Sequence, residues 1–285
     1  LFCQKLLTLA QLFDFFFLRF NLDKAFHRIC QMKHESYIPC DILKPFVKTF
    51  SIHESTEENT YKVLPDTGVV MGFQYKGRLS RLAQDKETPL SISGVSGLTD
   101  QFKIFKNTAH TGTVLVTFME AGAAPFFKQP IHEIFRESIS LDNFLLCSEL
   151  LLVEERLSEA KTDQARVEVV EQFLISRLRT REPDKLVLAA LALIHKSKGT
   201  IRIGELLEQL YMSQSSLERR FRQEVGTSPK KFASIVRLKN TLAIYQPGNS
   251  FTELGYEAGF YDQAHFIKEF KAFTGDTPES FFGGQ

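Results

Sequence analysis

Tryptophan is absent from the 285 residues, and the four cysteines (Cys3, Cys30, Cys40, Cys147) are scattered without a CxxC pair. That scarcity excludes the usual zinc-ribbon and redox spacings and offers no disulfide framework, so free thiols in a reducing cytoplasm are expected. No apolar run is long enough to cross a bilayer. Residues 6–20 come nearest, but Asp14 and Arg19 interrupt them and they fall short of the ~18–20 residues a span needs. The same stretch lacks the basic start and small-residue cleavage site of a secretory leader. Residues 1–36 are read as an extension, either upstream of the folded part or an interface helix. Nor is there a phosphate-binding glycine loop or a Ser/His/Asp order. His53, His110 and His132 stand apart in the sequence and are expected in ordinary structural or surface roles. No catalytic residue, metal or cofactor is expected, and no membrane partner.

An excess of charge of either sign is also missing, at a net +1, but the balance is uneven along the chain. Residues 196–240 hold ten Lys/Arg against four Asp/Glu, whereas residues 241–285 hold two against six. A basic block inside a neutral chain points to a polyanionic partner.

What is present is a repeat. Shifted by 49 positions, residues 213–232 fall on residues 262–281 without a gap. Ser213 meets Asp262, Leu217 meets Phe266, and Phe221 meets Phe270. Gly226 then meets Gly275, Pro229 meets Pro278, and Phe232 meets Phe281. Such internal periodicity constrains a fold before any local reading does.

Between residues 37 and 146 the pattern is mostly strand. Residues 68–75 are rich in β-branched and aromatic side chains and precede the turn signal Lys76-Gly77. Further short strands are expected at 90–92, 102–105 and 112–119, which together suggest a small barrel or sandwich. From 148 to 181 apolar residues recur at three- and four-residue steps, including Leu150, Leu151, Val153, Leu157, Val167, Val170, Phe173, Leu174 and Leu178. That period is an amphipathic helical pair, expected to connect two domains and to carry a dimer surface. After Pro183 everything reads as helix. Ser213 and Asp262 are N-caps, Gly226 and Gly275 C-terminal stops, Ser228-Pro229 opens a long helix to about Tyr245, and Ser250 with Glu253 forms a capping-box pattern.

At about 100° per residue, Leu217 and Phe221 define the buried face of the helix after Ser213. Ser215, Arg219 and Arg222 gather opposite, with Glu218 on the flank. In the helix after Asp262, Phe266 and Phe270 are buried. Ala264, Lys268 and Lys271 lie outward, with Gln263 and His265 in the first turn. Small or polar groups in a first turn, with cations further along, suit entry into a DNA major groove.

Residues 186–282 resemble the AraC-type DNA-binding domain. The run Gly255-Tyr256-Glu257-Ala258-Gly259-Phe260-Tyr261-Asp262-Gln263-Ala264-His265-Phe266, then Phe270-Lys271, Gly275 and Thr277-Pro278, is close to that family's signature. The resemblance implies seven helices holding two helix-turn-helix units in a bacterial transcription regulator. It assigns base contacts to Ser215, Glu218 and Arg219 in the first reading helix, and to Gln263, Ala264 and Lys268 in the second. Two positions depart: Leu207 and Tyr211 stand where the family usually has Ala and Gly, which predicts a looser first turn. More weakly, residues 37–145 resemble an N-terminal domain of unknown function often found before this module, through residues 118–127 and 139–143. That likeness implies a cupin-like sensory barrel with no particular ligand.

The expected architecture is therefore α+β and multidomain. An extension (1–36) precedes a β-rich sensor (37–147), a helical linker (148–182) and a helical DNA-binding domain (183–285). The expected partner is double-stranded DNA. A small-molecule effector at the N-terminal domain, RNA polymerase and a second copy of the chain are left open. Two rival readings remain: a DNA-repair enzyme fused to a DNA-binding module, and a protein-binding adaptor.

Overall fold

From Met32 to Ser140 the chain folds mainly as short antiparallel strands. The computed structural model describes residues 32–84, 86–248 and 250–283; the apolar segment 6–20 lies outside them. The strands are β1 (Met32–Tyr37), β2 (Val47–Ser55), β3 (Asn59–Val63), β4 (Val70–Lys76), β5 (Leu79–Ala83), β6 (Lys86–Pro89), β7 (Ser93–Ser96), β8 (Lys103–Asn107), β9 (Thr111–Phe118) and β10 (Ser138–Ser140). They sort into a six-stranded sheet, β1-β2-β9-β4-β7-β10, and a four-stranded sheet, β3-β8-β5-β6. Each sheet keeps two edges, so the expected barrel is not closed. Residues 90–92 are not a strand but the link between β6 and β7. Their apolar character had suggested otherwise, yet Leu90 and Ile92 use backbone groups to meet Leu79 and Gln74 across the loop. Phe50, Ile52, Phe73, Val114, Val116 and Phe118 are at most 1% exposed and fill the space inside the larger sheet.

The helical pair is α1 (Cys147–Glu159) and α2 (Asp163–Arg177). It does more than connect. Phe173 of α2 packs edge-on against Phe73 of β4 with ring centroids 5.8 Å apart, so the pair covers the large sheet. Most of the periodic residues are buried, but Leu151 is 63% exposed on the outer side. His53 is not isolated either: it packs on His34, its partner across β1 and β2, at 4.4 Å.

The C-terminal region comprises seven helices among the described residues. They are α3 (Lys185–Lys196), α4 (Ile203–Leu210), α5 (Gln214–Val225), α6 (Pro229–Ile244), α7 (Phe251–Glu257), α8 (Gln263–Thr274) and α9 (Pro278–Gly283). One apolar cluster runs from the β-rich domain through α1 and α2 into α3, α4, α5 and the first half of α6, taking in Phe221, Val225, Phe232 and Val236. A second, built on Ile235, Leu254, Phe266, Phe270 and Phe281, is separate.

Where α5 meets the linker, Glu224 is only 6% exposed and accepts a hydrogen bond from Arg181. Burial raises its pKa above the ordinary carboxylate value, and Arg181 offsets this only in part. A carboxyl raised on folding adds stability below its unfolded pKa and forfeits it as pH rises through the folded value. Glu224→Gln keeps an acceptor for Arg181 without a charge to desolvate. Denaturant melts are expected to show the variant gaining on the parent at pH 7 and not at pH 4.

Candidate nucleic-acid interface

Each reading helix is built by the same three devices. Ser213 Oγ accepts from the Ser216 amide, and Asp262 Oδ1 accepts from the His265 amide, satisfying one orphan donor at each N-terminus. Leu217 and Phe221, and their counterparts Phe266 and Phe270, are buried to within 1% of completely. Gly226 (φ 97°) and Gly275 (φ 85°) end the helices in the left-handed region, where a side chain is strained. The repeat reaches tertiary packing as well. Phe221 meets Phe232 edge-on at 5.5 Å, and Phe270 meets Phe281 edge-on at 5.1 Å.

These anchors turn the remaining face of each helix outward. Ser215, Arg219, Arg222, Gln263, Ala264, His265, Lys268 and Lys271 are all exposed. Arg219, Lys268 and Lys271 have no ion-pair partner among the described residues. Glu218 is half-buried: it accepts from Gln214 at 2.9 Å and lies 3.8 Å from Arg222. His265 lies 3.3 Å from Glu269, which also pairs with Arg237 of α6 at 2.6 Å. The nine expected residues therefore lie on two matched helix faces. Arg220, in the middle of the basic run, does not join them; it turns to Asp184 at the start of α3.

A groove of about 520 Å³ runs beside the first turn of α5, lined by Gln214 and Glu218 on one wall and by Lys230, Ser234 and Arg237 of α6 on the other. Arg202, at the start of α4, lines it too. Sequence reading missed these cations because they lie outside the reading helices. The only signal was their place within the basic block, Arg202 and Lys230 at helix starts and Arg237 in mid-helix.

The first turn is not loose. Tyr211 takes the left-handed conformation that the missing glycine would have taken (φ 51°), and its amide bonds to the carbonyls of Glu208 and Leu207. Its ring, 97% exposed, gains no packing in return.

Two capped helices, each preceded by a short helix and a tight turn, define a double helix-turn-helix domain. Residues 206–283 match a family model described as a helix-turn-helix domain, and residues 35–140 match one described as a domain of unknown function (DUF6597). The C-terminal region is an AraC-type helix-turn-helix domain. Relatives carry the names of regulators. An uncharacterized HTH-type transcriptional regulator of Haemophilus influenzae is 28% identical over 114 residues, 40% of this chain and 37% of that protein. The HTH-type transcriptional regulator MtrA of Neisseria gonorrhoeae is 34% identical over 79 residues, 27% of this chain and 26% of that one. The chain thus spans less than half the length of these curated relatives. Among solved structures, ToxT from Vibrio cholerae aligns over 89% of this chain and 98% of its own, at 10% identity and a TM-score of 0.43. No helix among the described residues is long and apolar enough to cross a membrane.

Tyr211→Gly removes a left-handed penalty of about 1 kcal/mol, part of which returns as entropy of the unfolded chain. A net stabilisation of a few tenths of a kcal/mol is expected in a denaturant melt. A lower midpoint would mean that the exposed ring contributes something the strain argument lacks.

Proposed function

We propose that this chain is a sequence-specific DNA-binding transcription regulator whose two helix-turn-helix units enter adjacent major grooves. The observation that carries the reading is the duplicated cap, anchor and stop, which expose matching first turns and matching cations. Ser215, Glu218 and Arg219 would read base edges from α5. Gln263, Ala264 and Lys268 would do so from α8, with His265 beside them at the DNA surface, and Ala264 suits a thymine methyl better than polar readout. Arg222, Lys271, Arg202 and Lys230 would take phosphates.

The connecting helix α6 has 16 residues and is roughly 24 Å long, against ~34 Å between successive major-groove faces. The bodies of the flanking helices bridge part of the difference, and the remainder requires DNA bending or incomplete engagement of one unit. The β-rich domain is read as the sensor for a small-molecule effector and the cytoplasm as the working compartment. A homodimer through the α1–α2 pair is supported by Leu151 and Leu152, which are 63% and 57% exposed on one helix.

Charge decides which unit leads. The first lies in the net-positive block, so it supplies most of the phosphate attraction. Arg219→Ala with Arg222→Ala is expected to weaken binding more than Lys268→Ala with Lys271→Ala. It should also flatten the salt dependence, each lost phosphate contact lowering the slope by ~0.9. Gel shifts over a salt series measure both. Equal losses from the two pairs would defeat the asymmetry, and retardation blind to sequence in the parent protein would defeat the regulator reading itself.

A further inference from the structure

The β-rich domain touches both reading units at positions that repeat each other. A Cβ on Gly226 would lie 2.8 Å from Cγ2 of Ile131, and a Cβ on Gly275 would lie 2.5 Å from the Phe102 ring. One domain therefore abuts the C-terminal ends of both reading helices, opposite the first turns that face DNA.

The two contacts differ in kind. At the first unit, Ile131, Ile134 and Phe126 belong to the same apolar cluster as Phe221, Val225 and Phe232, so unit and domain share one core. A shared close-packed core does not flex without forfeiting contacts. The second unit has its own cluster, to which the β-rich domain adds only the partly buried Leu64. It is held instead by a latch at the surface. Lys62 Nζ donates to the Thr274 carbonyl at 3.0 Å and to Asp276 Oδ2 at 2.5 Å, and lies 4.8 Å from the centroid of the Phe102 ring. Nearby, Lys239 of α6 pairs with Asp66.

We propose that the Lys62–Phe102 latch fixes the second reading helix relative to the first, making the β-rich domain a specificity determinant for the spacing between the two half-elements of the DNA site. This rests on the regulator reading above. Two heads on one chain bind cooperatively through the effective concentration of the second once the first is bound. A rigid arrangement concentrates that advantage at one spacing; a loosened one spreads it over several. Lys62 and Phe102 are positioning residues in this scheme, remote from the reading faces.

The test uses the full chain and a bipartite site recovered from random DNA, with one base pair inserted or deleted between its halves. The parent is expected to lose affinity steeply with either change. Lys62→Ala with Phe102→Ala should keep the same half-element sequences while its spacing penalty shrinks by roughly threefold or more. Lys62→Arg, which keeps the charge and the donor, should retain the parent's penalty. Lys62→Ala alone, losing only an exposed side chain, is measured beside them so that a folding defect in the double variant does not decide the matter. A parental penalty in Lys62→Ala and the double variant would overturn the latch, as would a parent that binds specifically but ignores spacing. A parent without sequence preference would instead overturn the regulator reading.

Discussion

The edge-on contact between the phenylalanine in the middle of each reading helix and the one that follows its glycine stop is the constraint on which the DNA-facing geometry depends. Phe221 and Phe232 are eleven residues apart, as are Phe270 and Phe281, and each pair closes across a reversal made at Gly226 or Gly275. Because the stop is left-handed and the next helix begins on Pro229 or Pro278, the chain turns back within a few residues. The ring contact then locks the rotation of the reading helix about its own axis. A helix free to rotate by one residue would swing Arg219 or Lys268 by about 100° and carry it off the outer face. The cap, the anchors and the ring pair thus convert a sequence pattern into a fixed direction for a few polar side chains.

That constraint is duplicated, but its setting is not. The first unit is continuous with the core of the β-rich domain, and the ion pairs around it reinforce the union: Lys231 of α6 and Arg136 both bond to Asp100. The second unit keeps its own core and is joined by α6 and by polar contacts at the surface. Basic charge follows the same division, with the surplus on the unit that is fused. On the proposed function, a rigid, positively charged unit would suit initial capture of the duplex, and a lightly held, acidic one adjustment after capture.

The sequence made this duplication plain because caps, anchors and stops are local. Each is decided by a residue and its neighbours within about four positions, so a shift of 49 could display all of them together. What it concealed was decided by distant partners. The burial of Glu224 depends on Arg181, 43 positions earlier. The strand order β1-β2-β9-β4-β7-β10 depends on pairings across as many as about seventy residues, and it places apolar residues 90–92 in a connection rather than a strand. Helical period found α1 correctly but not which side faces the sheet, so Leu151 was grouped with Leu150 although only Leu150 is buried. At Tyr211 the expected consequence had the wrong sign. A bulky residue does not open the turn; the hydrogen bonds of the turn hold the bulky residue in the strained conformation.

The placement of the β-rich domain bears on how a signal could reach the DNA. Its contacts fall on the C-terminal ends of α5 and α8, on α6 and on α3, where His195 lies 3.4 Å from Glu120. The outward residues of both first turns, Gln214, Ser215, Gln263, Ala264 and His265, remain exposed. Docking of this domain therefore does not cover the reading faces, and control by uncovering them is not built into this arrangement. A ligand that altered the β-rich domain could act only by favouring one relative position of the two units over another, and by no more than its own preference between those positions. The polar latch on the second unit is the place where such a preference meets the least resistance. The shared apolar core at the first unit would have to be broken, whereas exposed ion pairs cost little to exchange for water.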